Sequence, residues 1–280
     1  IVAVAGLSGC AVAPDSWSKG TGDFKIVAST NVWADIAASV GGEKVTSHAL
    51  IFNINQDPHS YESSARDRLL FEDADLVIIN GGGYDDFMLP LIEAAPDGIQ
   101  VIDVYALTGS SGNEHLWYDL EAVELAARAI ADAVQTDPTE FLAELAALRA
   151  EQDALAAEFA GTGVFMTEPL IELLLEDVKF ANLTPEEFSE AIEEERDVSP
   201  TAFAASLEVL QSGEVAMIAL NAATANSQVD DLLASEAASN IPVFGFSELL
   251  GQDPDTFEYD GGYIELMQGA LQGLRAGAES

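Results

Sequence analysis

From residue 25 onward the chain alternates short β-branched runs with alanine- and leucine-rich stretches, and this rhythm most constrains what it can fold into. Parallel strands need a crossover connection, usually a helix, so such alternation is the signature of a parallel α/β sheet. A strand at 25–29 leads into a helix over 31–40, which Gly41-Gly42 stops. Strands at 44–50, 76–80 and 100–104, with helices near 63–72 and 84–94, complete a first lobe. After a polar loop at 106–114, helices follow over 119–135 and 138–160. Asp137-Pro138-Thr139 starts the second of these with a capping Asp and a Pro at its first position. A second series then begins: strand 163–167, a helix from Pro169, helix 200–211, strand 214–220, helix 227–237, strand 241–246 and a final helix over 261–275. Two α/β lobes joined by a helix are predicted, dividing the chain into 1–23, 24–136, 137–161 and 162–280. There is no internal repeat, and Glu193-Glu194-Glu195 reads as a solvated face or loop.

Charge narrows the partners. The 280 residues carry 49 Asp and Glu against 10 Lys and Arg, a net charge of −39. A surface of that sign repels phosphate backbones and anionic membranes, so nucleic acid is excluded and cations are the natural counterpart. Most of the excess reads as a hydrated surface. A hydrophobic content of 49% is enough to fill a large core, which argues against disorder. With a single cysteine there is no internal disulfide and no zinc ribbon, so any metal falls to His, Asp and Glu.

That cysteine lies at the end of an apolar opening, Ile1 to Cys10, far short of the roughly 20 residues a spanning helix needs. Leu7-Ser8-Gly9-Cys10 resembles the lipobox of bacterial lipoproteins, which implies lipidation at Cys10 and a basic signal-peptide start ahead of residue 1. Residues 11–23 read as a flexible tether behind it. The multiple acyl chains of that class would hold the protein at the outer face of a membrane.

Of three histidines, His48 sits within a predicted strand and reads as structural. The other two are in loops, where α/β folds place ligands: Asp57-Pro58-His59 and Asn113-Glu114-His115. The segments Asn55-Gln56-Asp57-Pro58-His59-Ser60-Tyr61-Glu62 and Asn113-Glu114-His115-Leu116-Trp117-Tyr118-Asp119 resemble the two histidine motifs of the substrate-binding lipoproteins of manganese and zinc ABC transporters. The order and separation of the two motifs fit as well. Glu168, in Met166-Thr167-Glu168-Pro169, matches the place where that family supplies its third ligand as His or Glu. Glu248, in Phe246-Ser247-Glu248, is similar in position to its fourth, usually Asp, with Asp253 and Asp255 as nearby alternatives.

The resemblance implies two Rossmann-like lobes joined by a long rigid helix, with a metal site in the cleft between them. His59, His115, Glu168 and Glu248 would bind one Mn2+ or Zn2+ ion. It further implies a monomeric, lipid-anchored extracytoplasmic receptor that hands its cargo to a membrane permease served by a separate ATPase. Release would require the permease to disturb the lobes.

The chemistry stands on its own terms. Two neutral imidazoles and two carboxylates cancel the charge of a divalent ion. Carboxylates that chelate through both oxygens suit Mn2+ better than tetrahedral zinc, and residues 106–114 lack the histidine-rich loop common in zinc-dedicated members, a tilt toward manganese. Two other readings compete: a metal-dependent hydrolase, for which Glu62 or Glu114 could be a base but without an HExxH context, and a surface adhesin or structural lipoprotein. An enzyme is not the expectation. Gly81-Gly82-Gly83 lacks phosphate-loop spacing and reads as a tight turn, Trp33 and Trp117 as core or lobe interface, and Asn221 and Thr224 as turn-shaping residues or hydrogen-bond donors to a ligand.

Overall fold

A computed structural model describes residues 16–53, 56, 58, 61–109, 112–221, 226–251 and 261–280. In the first half, β1 (Trp17–Gly20), β2 (Phe24–Thr30), α1 (Asn31–Gly41), β3 (Val45–Ile51), α2 (Ala65–Glu72), β4 (Leu76–Ile79), α3 (Leu89–Glu93), β5 (Gln100–Asp103), α4 (Val104–Thr108) and α5 (Leu120–Val134) follow in order. Their sheet runs β1-β3-β2-β4-β5, with β2 to β5 parallel and β1 antiparallel on the β3 edge. After α6 (Thr139–Phe159) come β6 (Gly163–Met166), α7 (Glu172–Asp177), β7 (Ala181–Asn182), α8 (Glu186–Glu193), α9 (Pro200–Gln211), β8 (Val215–Asn221), α10 (Ser227–Leu233), β9 (Val243–Phe246) and α11 (Tyr263–Ala278). These strands form an all-parallel sheet in the order β7-β6-β8-β9. The predicted α/β architecture of two sheets is therefore the observed one.

Local chemistry accounts for the boundaries. Gly42 ends α1 with a φ of +58°, which a Cβ disfavours. Asp119 opens α5 by accepting from the backbone of Glu121 and Ala122, and Asp137 accepts from the backbone and hydroxyl of Thr139 at the start of α6. Pro138 precedes the first helical residue of α6 instead of occupying it. At 21 residues α6 is about 30 Å long. It buries Phe141, Leu145, Leu148, Gln152 and Leu155 along one stripe and packs against α5, α7 and α11.

The largest of three apolar clusters among the described residues runs through both sheets, including Ile26, Trp33, Trp117, Val164, Met217 and Tyr263. Polar ties reinforce it: Asn31 accepts from the Leu250 backbone at 3.0 Å, Asp35 from the Tyr263 backbone at 3.0 Å, and Tyr263 donates its hydroxyl proton to the Trp117 carbonyl at 2.8 Å. The two halves are thus held by α11 on α1 as well as by α6, which leaves little freedom for large closure.

Several segments depart from expectation. Part of the expected tether, Trp17–Gly20, is strand β1, because Trp17 buries its indole in the core while the backbone pairs with β3. The polar loop begins with α4, where Asp103 caps the Ala106 backbone. The helix expected over 84–94 is a 3-10 turn at Asp86–Met88 followed by the short α3, and the helix from Pro169 likewise starts as a 3-10 turn. Glu193 closes α8 with its side chain only 12% exposed, unlike the solvated Glu194 and Glu195. Cys10, His59, Thr224, Asp253 and Asp255 lie outside the described residues.

Candidate metal centre

Adjacent parallel strands carry their C-terminal ends to one edge, which is where open α/β sheets bind ligands. In the second sheet that edge belongs to β6, β8 and β9. Thr167 extends β6 by donating its backbone N–H to the Ala219 carbonyl at 2.9 Å, and its hydroxyl accepts from the Asn221 backbone at 3.2 Å. The next residue along, Glu168, is brought beside the end of β8, while Asn221 pairs in register with Phe246, two residues before Glu248. The side-chain amide nitrogen of Asn221 donates to both carboxylates, to Oε2 of Glu168 and, at 2.7 Å, to Oε1 of Glu248. Glu168, Asn221 and Glu248 are all buried. Carboxylates held out of water are costly unless paired or hydrogen-bonded, so the donors that meet them here carry weight.

The first sheet supplies the facing wall. β4 ends at the Gly81-Gly82-Gly83 turn, where all three residues have positive φ, and a Cβ on Gly81 would lie 2.2 Å from Oδ1 of Asp103. The glycines are a steric requirement of this turn, as expected. Asp85 takes the backbone N–H groups of Asn80 and Gly81 at 2.6 and 2.9 Å, which fixes the turn. Tyr84 is thereby aimed across to the second sheet, where its hydroxyl donates to Oε2 of Glu248 at 2.8 Å. Burial, then the charge of Glu248 and its hydrogen bond, then Asp85 and Glu193, push the phenol well above its ordinary range, so it remains a donor.

His115 is buried against Trp117 and Tyr84, with ring centroids 5.2 and 6.1 Å away. Its loop is anchored by Asn80, which donates to the Glu114 carbonyl at 2.8 Å and accepts from the Trp33 indole at 3.2 Å. Asn113 holds the ring itself. Its amide nitrogen donates to the Pro169 carbonyl at 2.7 Å and to Glu172 at 3.3 Å, so its Oδ1 must be the atom 2.9 Å from Nδ1 of His115. Nδ1 therefore donates to Asn113, and Nε2 is the ring nitrogen left for another partner. Among the described residues Nε2 has no hydrogen-bond partner; Oε1 of Glu193 lies 3.4 Å away.

Of the four ligands expected, Glu168 and Glu248 are brought together, and His115 joins them through Tyr84. Among the described residues no three His, Cys, Asp or Glu side chains converge into a ready metal-holding group. Sequence reasoning missed Tyr84, whose glycine-rich neighbourhood reads only as a turn, and Glu193, whose acidic run reads as solvated. Asn221, considered for its place after β8, is the donor that joins the carboxylates. His48 lies in β3 and Trp33 and Trp117 in the core, as expected.

Comparison with known proteins bears on the fold and the family. Manganese-binding lipoprotein MntA of Halalkalibacterium halodurans is 30% identical over 138 residues, 47% of this chain and 46% of its own length. The matched stretch thus spans less than half of that relative. The periplasmic zinc-binding protein TroA of Treponema pallidum superposes over 92% of this chain and 99% of its own with a TM-score of 0.74 at 15% identity. Pseudomonas aeruginosa FpvC, solved with Mn2+, gives 0.72 over 91% and 98% at 19% identity, so the shared fold covers nearly the whole chain. The model of the periplasmic zinc-uptake complex component A family, ZnuA, matches residues 26–277, and the chain belongs to that family.

Proposed function

We propose that this protein is the extracytoplasmic substrate-binding component of an ABC importer, capturing one divalent transition-metal ion and delivering it to a membrane permease with its own ATPase. The observation that carries the reading is the buried pair Glu168 and Glu248 on the Asn221 amide, with Tyr84 reaching from the His115 ring to Glu248. A divalent ion bound by such carboxylates balances their charge. His115, Glu168 and Glu248 are the proposed ligands, with His59 the fourth. Two imidazoles and two carboxylates leave the loaded site neutral, and the carboxylate oxygens favour Mn2+ as cargo, with Zn2+ the competitor at any such site. Names among the relatives and structural neighbours include manganese and zinc binding, in line with that choice.

Capture between lobes 24–136 and 162–280, linked through 137–161, needs only a small adjustment in so continuous a core. Lipidation at Cys10 would hold the monomer at the outer membrane face, and among the described residues no helix is long and apolar enough to cross a membrane. The protein is read as a binder and not a hydrolase, because four protein ligands close the positions that a catalytic metal keeps for water. Calorimetric titration of metal-stripped protein tests this. One site per chain is expected, weakened about 100-fold or more in Glu248→Ala, since a lost ligand should exceed the loss of a supporting group. Sustained turnover of ester or phosphoester substrates by the loaded protein would contradict the reading.

A further inference from the structure

We propose that Asn113 and Tyr118 are positioning residues for the cargo ion, placed at the two ends of the His115 segment so that each grips the backbone beside one carboxylate ligand. This rests on the capture function above and assigns the groups that hold its ligands relative to one another. The segment runs from Asn113 through the 3-10 turn at Leu116–Tyr118. At one end Asn113 donates to the carbonyl of Pro169, the residue after Glu168, at 2.7 Å. At the other the Tyr118 hydroxyl donates at 2.9 Å to the carbonyl of Ser247, the residue before Glu248, and accepts that residue's backbone N–H at 3.4 Å. One short stretch of the first half thus touches both carboxylate-bearing loops of the second, with His115 between the two contacts.

Each contact is directional. The orientation of the Asn113 amide is set by partners with a single role, since its Oδ1 accepts the His115 backbone N–H at 2.8 Å and its nitrogen faces the Pro169 carbonyl and the Glu172 carboxylate. The same Oδ1 takes the Nδ1 proton of His115 at 2.9 Å whatever the charge of the ring, and this leaves Nε2 for another partner. Glu172 in turn accepts from Asn182 of β7 at 3.2 Å, which carries the grip into the second sheet. Tyr118 is buried. Burial raises its phenol above the ordinary range, the Ser247 contact offsets part of that and the Glu248 charge adds to it, so the hydroxyl remains a donor. The segment is pinned between its ends as well, by Asn80 on the Glu114 carbonyl and Tyr263 on the Trp117 carbonyl. Any shift of His115 relative to either carboxylate loop has to break one of these bonds.

Metal-stripped full-length protein is titrated with Mn2+ and separately with Zn2+, comparing wild type with Asn113→Ala, Asn113→Asp, Tyr118→Phe and His115→Ala. Asn113→Ala is expected to raise Kd by at least about tenfold for each ion, the lower end of what losing a supporting group around a metal costs. Tyr118→Phe is expected to raise it about fivefold, the equivalent of one hydrogen bond. Two readouts separate positioning from a purely structural role. The visible spectrum of Co2+-loaded protein reports ligand geometry and should shift in both variants. Imidazole nitrogen NMR of zinc-loaded protein should show His115 protonated on Nδ1 and bound through Nε2 in wild type, lose that single form in Asn113→Ala, and regain it in Asn113→Asp, which keeps the acceptor. Melting in chelator reports folding, and the Asp and Phe variants preserve shape if Asn113→Ala fails to fold. Wild-type affinity in Asn113→Ala or Tyr118→Phe overturns the proposal, as does weaker binding with the Co2+ spectrum and the His115 form unchanged. Those results leave capture intact provided His115→Ala loses the ion. Failure of wild type to bind any of these metals overturns the capture reading and the positioning roles with it.

Discussion

Asn221→Ala isolates the electrostatics of the carboxylate pair. The substitution removes the nitrogen that donates to both Glu168 and Glu248 and leaves two buried acids facing each other. A hydrogen bond to a charged group contributes about 1.5–3 kcal/mol, and two bonds sharing one nitrogen fall short of the simple sum. Repulsion between the exposed charges at about 5 Å and an effective dielectric of about 20 is about 3 kcal/mol. Both routes give a loss near 3 kcal/mol in metal-free protein. At about 2–4 °C per kcal/mol for a chain of this size class, the melting temperature should fall by about 6–12 °C. A bound divalent ion neutralises the same acids, so the drop should shrink to less than half in saturating Mn2+. Thermal unfolding followed by circular dichroism, in chelator and in excess Mn2+, measures both. A loss under about 1 kcal/mol in chelator, or an equal loss with metal, would refute the claim that the Asn221 amide and the ion relieve the same two acids.

Tyr84→Phe removes the hydroxyl that donates to Glu248 while keeping the ring packed on His115 and Trp117. Metal affinity should change by about 1 kcal/mol, roughly fivefold, with the fold intact, as read by titration calorimetry. Glu265→Gln tests the N-terminus of α11, where the carboxylate accepts from the Gly262 backbone and is held below the usual carboxylate range chiefly by that bond. A depressed folded-state pKa stabilises above the unfolded value and is lost as pH falls through the folded one. The variant should therefore lose about 0.5–1 kcal/mol near neutral pH and match wild type in acid, measured by urea unfolding across that range.

The helices that read cleanly are those whose ends carry their own chemistry. Asp119 and Asp137 cap α5 and α6, Ser199-Pro200 opens α9, and Gly41-Gly42 ends α1. Strand β1 was hidden because Trp17-Ser18-Lys19-Gly20 has one apolar residue and no alternation, and it is a strand only because β3 offers an edge. The carboxylate positions could be read from their places after strands, since the parallel sheet brings strand ends together. Glu193 could not be read in that way. Its burial depends on α8 lying beside the His115 loop, a contact between residues 78 positions apart that leaves no mark in a local acidic run. Tyr84 was hidden similarly, because the glycine turn beside it gives direction to the side chain without signalling its target.

The central claim is that one divalent ion is held by residues from both halves of the chain. Native mass spectrometry with elemental analysis on metal-stripped protein, exposed to equal Mn2+ and Zn2+, tests it most directly when repeated for His115→Ala, His59→Ala and Glu168→Ala. One ion per chain in wild type, lost in every variant, is the expected result and names the metal preferred in vitro. No bound ion, or an ion indifferent to the substitutions, would contradict the claim.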